Sequence, residues 1–179
     1  WPHHAAGTNL RPREQHSARP TDQARGERRV LGQHVGLVLP VSLLTLTDEE
    51  YARGRTILHQ AGIPKDAWFV SIHIREGGFK KEQGRALQES GLNADCATYF
   101  PAIKEVVERG GWVVRIGDPA MNPLPPMPGL FDYAHSPLKS EWIDLFLLGA
   151  CRFFIGTSSG PAYVPPLFGI PCALTNWYP

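Results

Sequence analysis

The stretch "CRFFIGTSSGPAYVPPLFGIPCALTNW", Cys151–Trp177, decides the fold of this chain. Its run "RFFIG" predicts a buried strand and "PCALTN" predicts another, because both are short, apolar and bounded by turn-forming residues. Between them, "AYVPPLFG" predicts a short helix strained by two prolines. The loop "GTSSG" directly after the first strand is typical of either a tight turn or a cradle for an anion.

Strand and helix patterns alternate along most of the chain upstream of this stretch. "WFVSIHI" and "GGWVVRIG" are typical of strands covered on both faces, and "LFDYAHS" holds a short strand. Helices are predicted for "TDEEYARGRTILHQAGIP", with a capping box from Thr47 to Glu50, for Tyr99–Arg109, and for "SEWIDLFLLGA" with Ser140 as its cap. "GLVLPVSLLTL" is predicted to be an edge or extended entry segment because of Pro40. The alternation predicts an α/β fold, a Rossmann-like parallel sheet with flanking helices.

The composition narrows the class of protein. A chain of 179 residues with 42% hydrophobic and 20% charged residues is typical of one globular domain with an appended segment. The net charge of +1 predicts no nucleic-acid partner, and no apolar run approaches the roughly 20 residues that span a bilayer, so we expect no integral membrane segment. The three cysteines are odd in number and widely spaced, which favours reduced thiols over disulfides or a zinc site.

Residues 1–35 differ in composition from the remainder. Up to Arg29 this segment carries six arginines against three acidic residues and has few apolar side chains. Such a segment buries too little surface to offset its ordering entropy, so we expect a flexible basic arm or interdomain linker. A folded domain is then expected over residues 36–179.

Because ligands of parallel α/β sheets bind at the carboxyl ends of the strands, the loops that follow the strands form the candidate site. The first loop places His73 and Arg75 on one face of a strand, and Gly77 would let a phosphate approach the backbone. Arg75 is predicted to form a bidentate pair with that phosphate. The alternative for Arg75 is a pair with a structural carboxylate such as Asp118, and the alternative for His73 is a satisfied core histidine.

Two further loops offer single candidates. Asp118, after Gly117, is either a turn residue or a partner that orients His73 or Arg75 or binds a ribose hydroxyl. The loop that contains His135 is a candidate for recognition of a base.

The fourth loop, "GTSSG", precedes a predicted helix that opens at Pro161. Successive backbone N–H groups at a helix N-terminus, helped by hydroxyl donors, hold anions. The loop is not a P-loop, because no Gly-Lys-Ser/Thr follows, and its glycine spacing is not that of a dinucleotide fingerprint. Opposite Arg75, it becomes a candidate diphosphate site.

Taken together, these residues resemble a family of bacterial glycosyltransferases known chiefly from sequence. The resemblance spans roughly Thr47 to Pro179, and its most specific parts are "GGWVVRIGDP", "DYAHSPLKSEWIDLFLLGACRFFIGTSSG" and "VPPLFGIPCALTNW". More distantly, "SIHIREGGF" is similar to the His-x-Arg phosphate motif of fucosyltransferases that use GDP-fucose, and "FFIGTSSG" to their later Gly-and-Ser loop. Such enzymes have two Rossmann-like domains, the GT-B arrangement, and the second domain holds the sugar nucleotide.

By that resemblance, residues 36–179 are the nucleotide-sugar-binding half, expected to be truncated at the C-terminus. His73 and Arg75 correspond to the His and Arg of the motif, with Arg75 on the diphosphate. Ser158 and Ser159 correspond to phosphate or sugar contacts. The fucosyltransferase motif often continues with a second Arg and an Asp, whereas this chain continues with a glutamate and two glycines.

The function implied by the resemblance is a metal-independent glycosyltransferase, hexosyl- or fucosyltransferase-like, of which this chain is a fragment. It would transfer a sugar from a nucleotide-diphosphate donor to a glycan or small-molecule acceptor without a cofactor, as a cytoplasmic enzyme of polysaccharide biosynthesis. His73 and Glu76 are the internal candidates for the catalytic base. A non-catalytic nucleotide-binding remnant and, less favoured, a Rossmann-type oxidoreductase are the alternatives. The candidate residues for binding the diphosphate and sugar nucleotide are Arg75, Gly77, Gly117, Asp118, His135, Gly156, Thr157, Ser158, Ser159 and Gly160.

Overall fold

The fold is built on one parallel sheet, seen in a computed structural model that describes residues 42–76 and 93–177. The strands in these ranges are β1 Phe69–His73, β2 Trp112–Arg115, β3 Leu130–Phe131, β4 Phe154–Thr157 and β5 Cys172–Thr175. Their spatial order is β3-β2-β1-β4-β5, and every neighbouring pair is parallel. This is the strand order of a Rossmann fold. It confirms the predicted α/β class and parallel sheet.

Local capping sets where the helices begin. The α-helices of the described residues are α1 Asp48–Gln60, α2 Phe100–Glu108 and α3 Glu141–Ala150. Thr47 Oγ1 accepts the Glu50 N–H at 3.2 Å, and the Glu50 carboxylate accepts the Thr47 N–H at 2.8 Å, so the predicted capping box is present. The hydroxyl of Ser140 accepts the Ile143 N–H and caps α3 as predicted.

Both faces of the sheet are covered, as the continuous apolar runs predict. All of β1 is buried. On one face, β1 and β2 side chains pack with α1 and α3, in a core that includes Leu58, Phe69, Val114, Ile143, Phe146 and Leu147. On the other face they pack with α2, in a core that includes Val70, Ile72, Ile74, Ile103, Val106 and Val113.

The chain after β4 differs from the prediction of a single short helix. It forms two 3₁₀ helices of four residues each, Gly160–Tyr163 and Pro165–Phe168. Adjacent prolines remove two backbone donors, so no α-helical ladder can continue through this segment. The "GTSSG" loop therefore lacks the α-helix N-terminus that was expected to help hold an anion.

Other predictions fall partly or wholly outside the described ranges. Residues 1–35 lie outside them, so the basic arm stays a prediction. Most of "GLVLPVSLLTL" also lies outside, and its described part, residues 42–46, contains no strand. Cys96, Cys151 and Cys172 are all free thiols. Within residues 42–76 and 93–177, no helix combines the length and apolar character needed to cross a membrane.

Candidate functional site

The candidate site lies at the carboxyl edge of the sheet, where the strand order reverses. The chain goes from β1 to β2 and β3 on one side, whereas β4 and β5 lie on the other. In open α/β sheets, ligands bind in the crevice at this switch point, between the ends of the two strands that flank it. Those strands are β1 and β4, and His73 pairs in register with Gly156 there. The loops predicted to bind an anion therefore meet at the position where such folds bind ligands.

Arg75 is held in place through its backbone. Its N–H donates to Thr157 Oγ1 at 2.9 Å, and its carbonyl accepts the Ala94 N–H at 2.9 Å. Thr157 is fully buried, so its hydroxyl acts as a fixed acceptor at the end of β4. The half-buried side chain of Arg75 makes no hydrogen bond or ion pair with another described residue. Its guanidinium is thus positioned at the switch point without a carboxylate partner among those residues.

The side chain of His73, at the end of β1, contacts the loop that follows β4. Its Nδ1 lies 2.9 Å from Ser159 Oγ, within hydrogen-bond distance. Burial, followed by the positive charges of Arg115 and Arg75, lowers the pKa of His73 to about 4. The imidazole is therefore neutral at pH 7, and Arg115 and Arg75 lie close enough to oppose its protonation. Burial contributes most to this shift and disfavours charge of either sign, whereas the part that comes from the two arginines favours an anion beside His73.

The rest of the "GTSSG" loop is accessible. Ser158 and Ser159 are half-buried, and Gly160 is exposed. A Cβ at Gly160 would meet nothing within 4 Å, so packing does not require glycine there. The loop thus presents the Ser158 hydroxyl and the backbone at Gly160, while the Ser159 hydroxyl is bonded to His73. Gly156 lies within β4, where its carbonyl faces the Thr175 hydroxyl at 3.4 Å.

A buried arginine that the sequence analysis did not single out lies beside this site. Arg115, at the end of β2, is fully buried. Its Nη2 pairs with Glu76 Oε1 at 3.1 Å and its Nη1 with Asp132 Oδ1 at 3.0 Å. Only its Nε lacks a hydrogen-bond partner. A charged residue inside the apolar run "WVVRIG" was the available signal, because a buried arginine requires carboxylate partners.

Glu76 is fully engaged by this cluster. Its Oε1 accepts from Arg115 and from the Cys96 thiol, and its Oε2 accepts from the backbone and side-chain N–H groups of Asn122, at 2.9 and 3.0 Å. A carboxylate offers about four lone-pair sites, and four donors occupy them here. The catalytic role predicted for Glu76 therefore has no free lone pair to carry it, and the geometry gives this residue a structural role.

His135 belongs to the same cluster rather than to the switch point. Its Nδ1 lies 3.0 Å from Asp132 Oδ2 and its Nε2 lies 2.9 Å from the Met121 carbonyl. Asp132 Oδ2 also accepts the Leu124 N–H at 3.0 Å. Both ring nitrogens are thus engaged by protein atoms, which ties the loop after β2 to the loop after β3.

Asp118 is a turn residue in the structure. Its Oδ1 accepts the Ala120 N–H at 2.8 Å, and no hydrogen bond or ion pair among the described residues joins it to His73 or Arg75. The alternative in which Asp118 pairs with Arg75 is therefore not what the structure has. A Cβ at Gly117 would lie 2.3 Å from the Met121 sulfur, so a larger residue there would require the Met121 side chain to move.

The described residues leave out one predicted phosphate contact and hold no cluster of metal ligands. Gly77 lies outside the described residues. Among the residues that are described, no group of three or more His, Cys, Asp or Glu side chains is placed to hold a metal ion. In the cluster around Arg115, the guanidinium occupies the position between the carboxylates.

The fold and site define a Rossmann-like α/β domain with Arg75, His73 and the "GTSSG" loop at its switch point. Among solved structures, it is similar to the ADP-heptose lipopolysaccharide heptosyltransferase II of E. coli, with 15% identity and a TM-score of 0.48 over 73% of this chain. It is also similar to a glycosyl transferase of family 9 from Veillonella parvula, with 15% identity and a TM-score of 0.47 over 73% of this chain. This chain spans 38% and 36% of those two chains.

No family model and no curated protein sequence matches the chain. Both structural neighbours are named as glycosyl- or heptosyltransferases, and neither is named as a fucosyltransferase. The distant similarity to fucosyltransferases therefore stays a prediction from the motif. The fold assignment rests on the strand order of the sheet itself.

Proposed function

We propose that this domain binds the nucleotide-diphosphate sugar of a glycosyltransferase and takes part in transfer of the sugar to a glycan or small-molecule acceptor. The donor's diphosphate would lie in the crevice between the ends of β1 and β4. There it would contact the Arg75 guanidinium, the Ser158 hydroxyl and the open backbone at Gly160. The proposed transfer uses no metal or cofactor.

One observation carries this proposal: Arg75 is fixed by its backbone to the end of β4, while its guanidinium has no partner among the described residues. A structural arginine would be expected to have a carboxylate partner, as Arg115 has two. The contrast between the two arginines separates a charge used for packing from a charge available to a ligand. A guanidinium beside hydroxyl donors matches the oxygen geometry of a phosphate.

The chemistry follows from where charge develops. As the bond between the sugar carbon and the diphosphate oxygen breaks, its electron pair passes to that oxygen. Arg75 would stabilise the growing negative charge more strongly in the transition state than in the bound donor, which lowers the barrier. His73 would contribute as a neutral group: with Nδ1 accepting from Ser159, its Nε2–H donates toward the phosphate oxygens.

The base that removes the acceptor's proton would then come from outside the described part of this chain. Efficient general bases have a pKa near the working pH, and the pKa of His73, at about 4, is far below it. Glu76 has no free lone pair. We therefore assign both residues to donor binding and structure, and we assign proton removal to a second domain. The cytoplasmic location and the place in polysaccharide biosynthesis stay predictions.

A thermal-shift panel tests the proposal. UDP, GDP, ADP and their sugars are added to the chain, with NADH as the comparator for an oxidoreductase. A ligand at about 100 times its Kd adds about 2.7 kcal/mol of stability. For a domain of this size, that raises Tm by roughly 5–10 °C. Stabilisation by NADH alone, or by no nucleoside diphosphate, would contradict the proposed function.

A further inference from the structure

An exposed pair of aromatic rings adjoins the candidate diphosphate site. Tyr163 and Trp177 have ring centroids 5.7 Å apart with an interplanar angle of 63°, a T-shaped arrangement. They are 62% and 39% exposed, although most aromatic side chains of the described residues are buried or half-buried. A T-shaped pair forms a corner, in which a planar ring stacked on one face also meets the edge of the other ring.

Chain geometry places this corner beside the "GTSSG" loop. Tyr163 ends the 3₁₀ helix that starts at Gly160, so it lies roughly 6 Å along the helix from that loop. Trp177 follows β5 by two residues, and Thr175 of β5 pairs in register with Thr157 of β4. Both rings are therefore at the carboxyl edge of the sheet, on the β5 side of the proposed diphosphate position.

The backbone before Trp177 has an unusual conformation. Asn176 has a φ of 47° and is the residue other than glycine with positive φ among the described residues. A left-handed residue at the end of an edge strand redirects the chain, and here it precedes the ring that meets Tyr163. The Tyr163 hydroxyl and the Trp177 indole N–H form no hydrogen bond with other described residues, so both polar groups are available to a ligand.

We infer that Tyr163 and Trp177 form the stacking subsite for the planar base of the donor's nucleoside. This inference rests on the proposed function, because it assumes that the diphosphate lies at Arg75 and Ser158. The base then extends from the diphosphate toward β5 and stacks in the aromatic corner, where the free hydroxyl and indole N–H contact its edge. Stacking tolerates different bases, so the corner supplies affinity for the nucleoside while those polar groups favour particular bases.

Calorimetric titrations with two kinds of probe separate the subsites. UDP, GDP and ADP report on base and diphosphate together, and inorganic pyrophosphate reports on the diphosphate position alone. Trp177→Leu and Tyr163→Leu are each expected to weaken the best nucleoside diphosphate by about 10- to 100-fold. Both are expected to leave pyrophosphate affinity unchanged. Trp177→Phe keeps a ring and should stay within about 3-fold of the parent protein. Leu145→Ala, at a side chain 43% exposed on α3, is the control and should change neither affinity.

The outcomes distinguish this inference from the function on which it rests. If nucleoside diphosphates and pyrophosphate bind with the same affinity to the parent and the two leucine variants, the stacking subsite is wrong and the diphosphate site stands. If neither probe binds the parent protein, the proposed function fails and the subsite fails with it. If Trp177→Leu changes the sedimentation of the protein but not its affinity for any probe, the corner contacts another copy of the chain, and the inference is overturned. Unfolding midpoints of all variants are compared with the parent, and they should agree because the substituted side chains are exposed.

Discussion

Replacing Arg115 by methionine tests whether the cluster beside the site is held together by one buried charge. The substitution keeps an unbranched apolar stem but removes the guanidinium that pairs with Glu76 and Asp132. Those carboxylates are 9% and 19% exposed, so water replaces the lost cation poorly. Removing one partner of a buried ion pair costs about 3–5 kcal/mol, because it leaves uncompensated charge. We expect Arg115→Met to lower the unfolding free energy by that amount, which lowers Tm by roughly 6–20 °C at this domain size.

Urea unfolding followed by circular dichroism measures this change. Arg109→Met is the matched control, because Arg109 pairs with Glu105 on the surface of α2, where the two side chains are 72% and 56% exposed. Exposed pairs contribute at most about 1 kcal/mol, so the control should remain near the parent protein. Arg115→Lys should be intermediate, since an ammonium cannot span two carboxylates as a guanidinium does. Equal stabilities for Arg115→Met and Arg109→Met would refute the reasoning about a buried charged cluster.

Three further predictions concern the site and the core. Because the folded-state pKa of His73 is about 4, against 6.5 for an ordinary histidine, its stabilising effect is complete above pH 6.5 and is lost as the pH falls through 4. The unfolding free energy should fall by on the order of 3 kcal/mol over that pH range. His73→Gln should show a smaller fall when unfolding is measured across the same range. Parallel plots of unfolding free energy against pH for the parent and the variant would contradict this. Gly54→Ala should destabilise by about 1–3 kcal/mol, because a Cβ there lies 2.2 Å from the Phe146 ring, while Gly160→Ala should not destabilise. Thr157→Val should lower the unfolding free energy by about 1–3 kcal/mol, because it leaves the Arg75 N–H without its acceptor. Thr157→Ser keeps the hydroxyl and should retain most of the stability. Equal losses in both variants would point to packing instead.

The elements that were predictable from sequence are those that local chemistry determines. The capping box at Thr47 and the cap at Ser140 depend on residues three positions apart, so both helix starts could be identified directly. The sheet followed from apolar runs separated by helices. The helix expected after β4 was wrong because the paired prolines, Pro165 and Pro166, allow only 3₁₀ turns there.

The charged cluster could not be predicted because its partners are distant in sequence. Glu76 and Arg115 are 39 residues apart, and the cluster forms only when β1, β2 and β3 lie side by side. In the sequence, Glu76 is one more carboxylate near the site, whereas in the fold its four donors come from three separate segments. The contact between His73 and Ser159 could be predicted only in part. The parallel strands imply that their loops share one edge of the sheet, but not which side chains touch.

Nucleotide binding by Arg75→Ala, measured together with the stability of the variant, tests the proposed donor site directly. We predict that affinity for the preferred nucleoside diphosphate falls by roughly 2–4 kcal/mol, or about 30- to 1000-fold, while the unfolding free energy stays near that of the parent. Arg152→Ala is the control, because Arg152 lies just before β4, at the opposite edge of the sheet, over the Trp68 ring. Unchanged nucleotide affinity in Arg75→Ala, with a large loss of stability, would show that Arg75 is a structural residue and would contradict the proposed donor site.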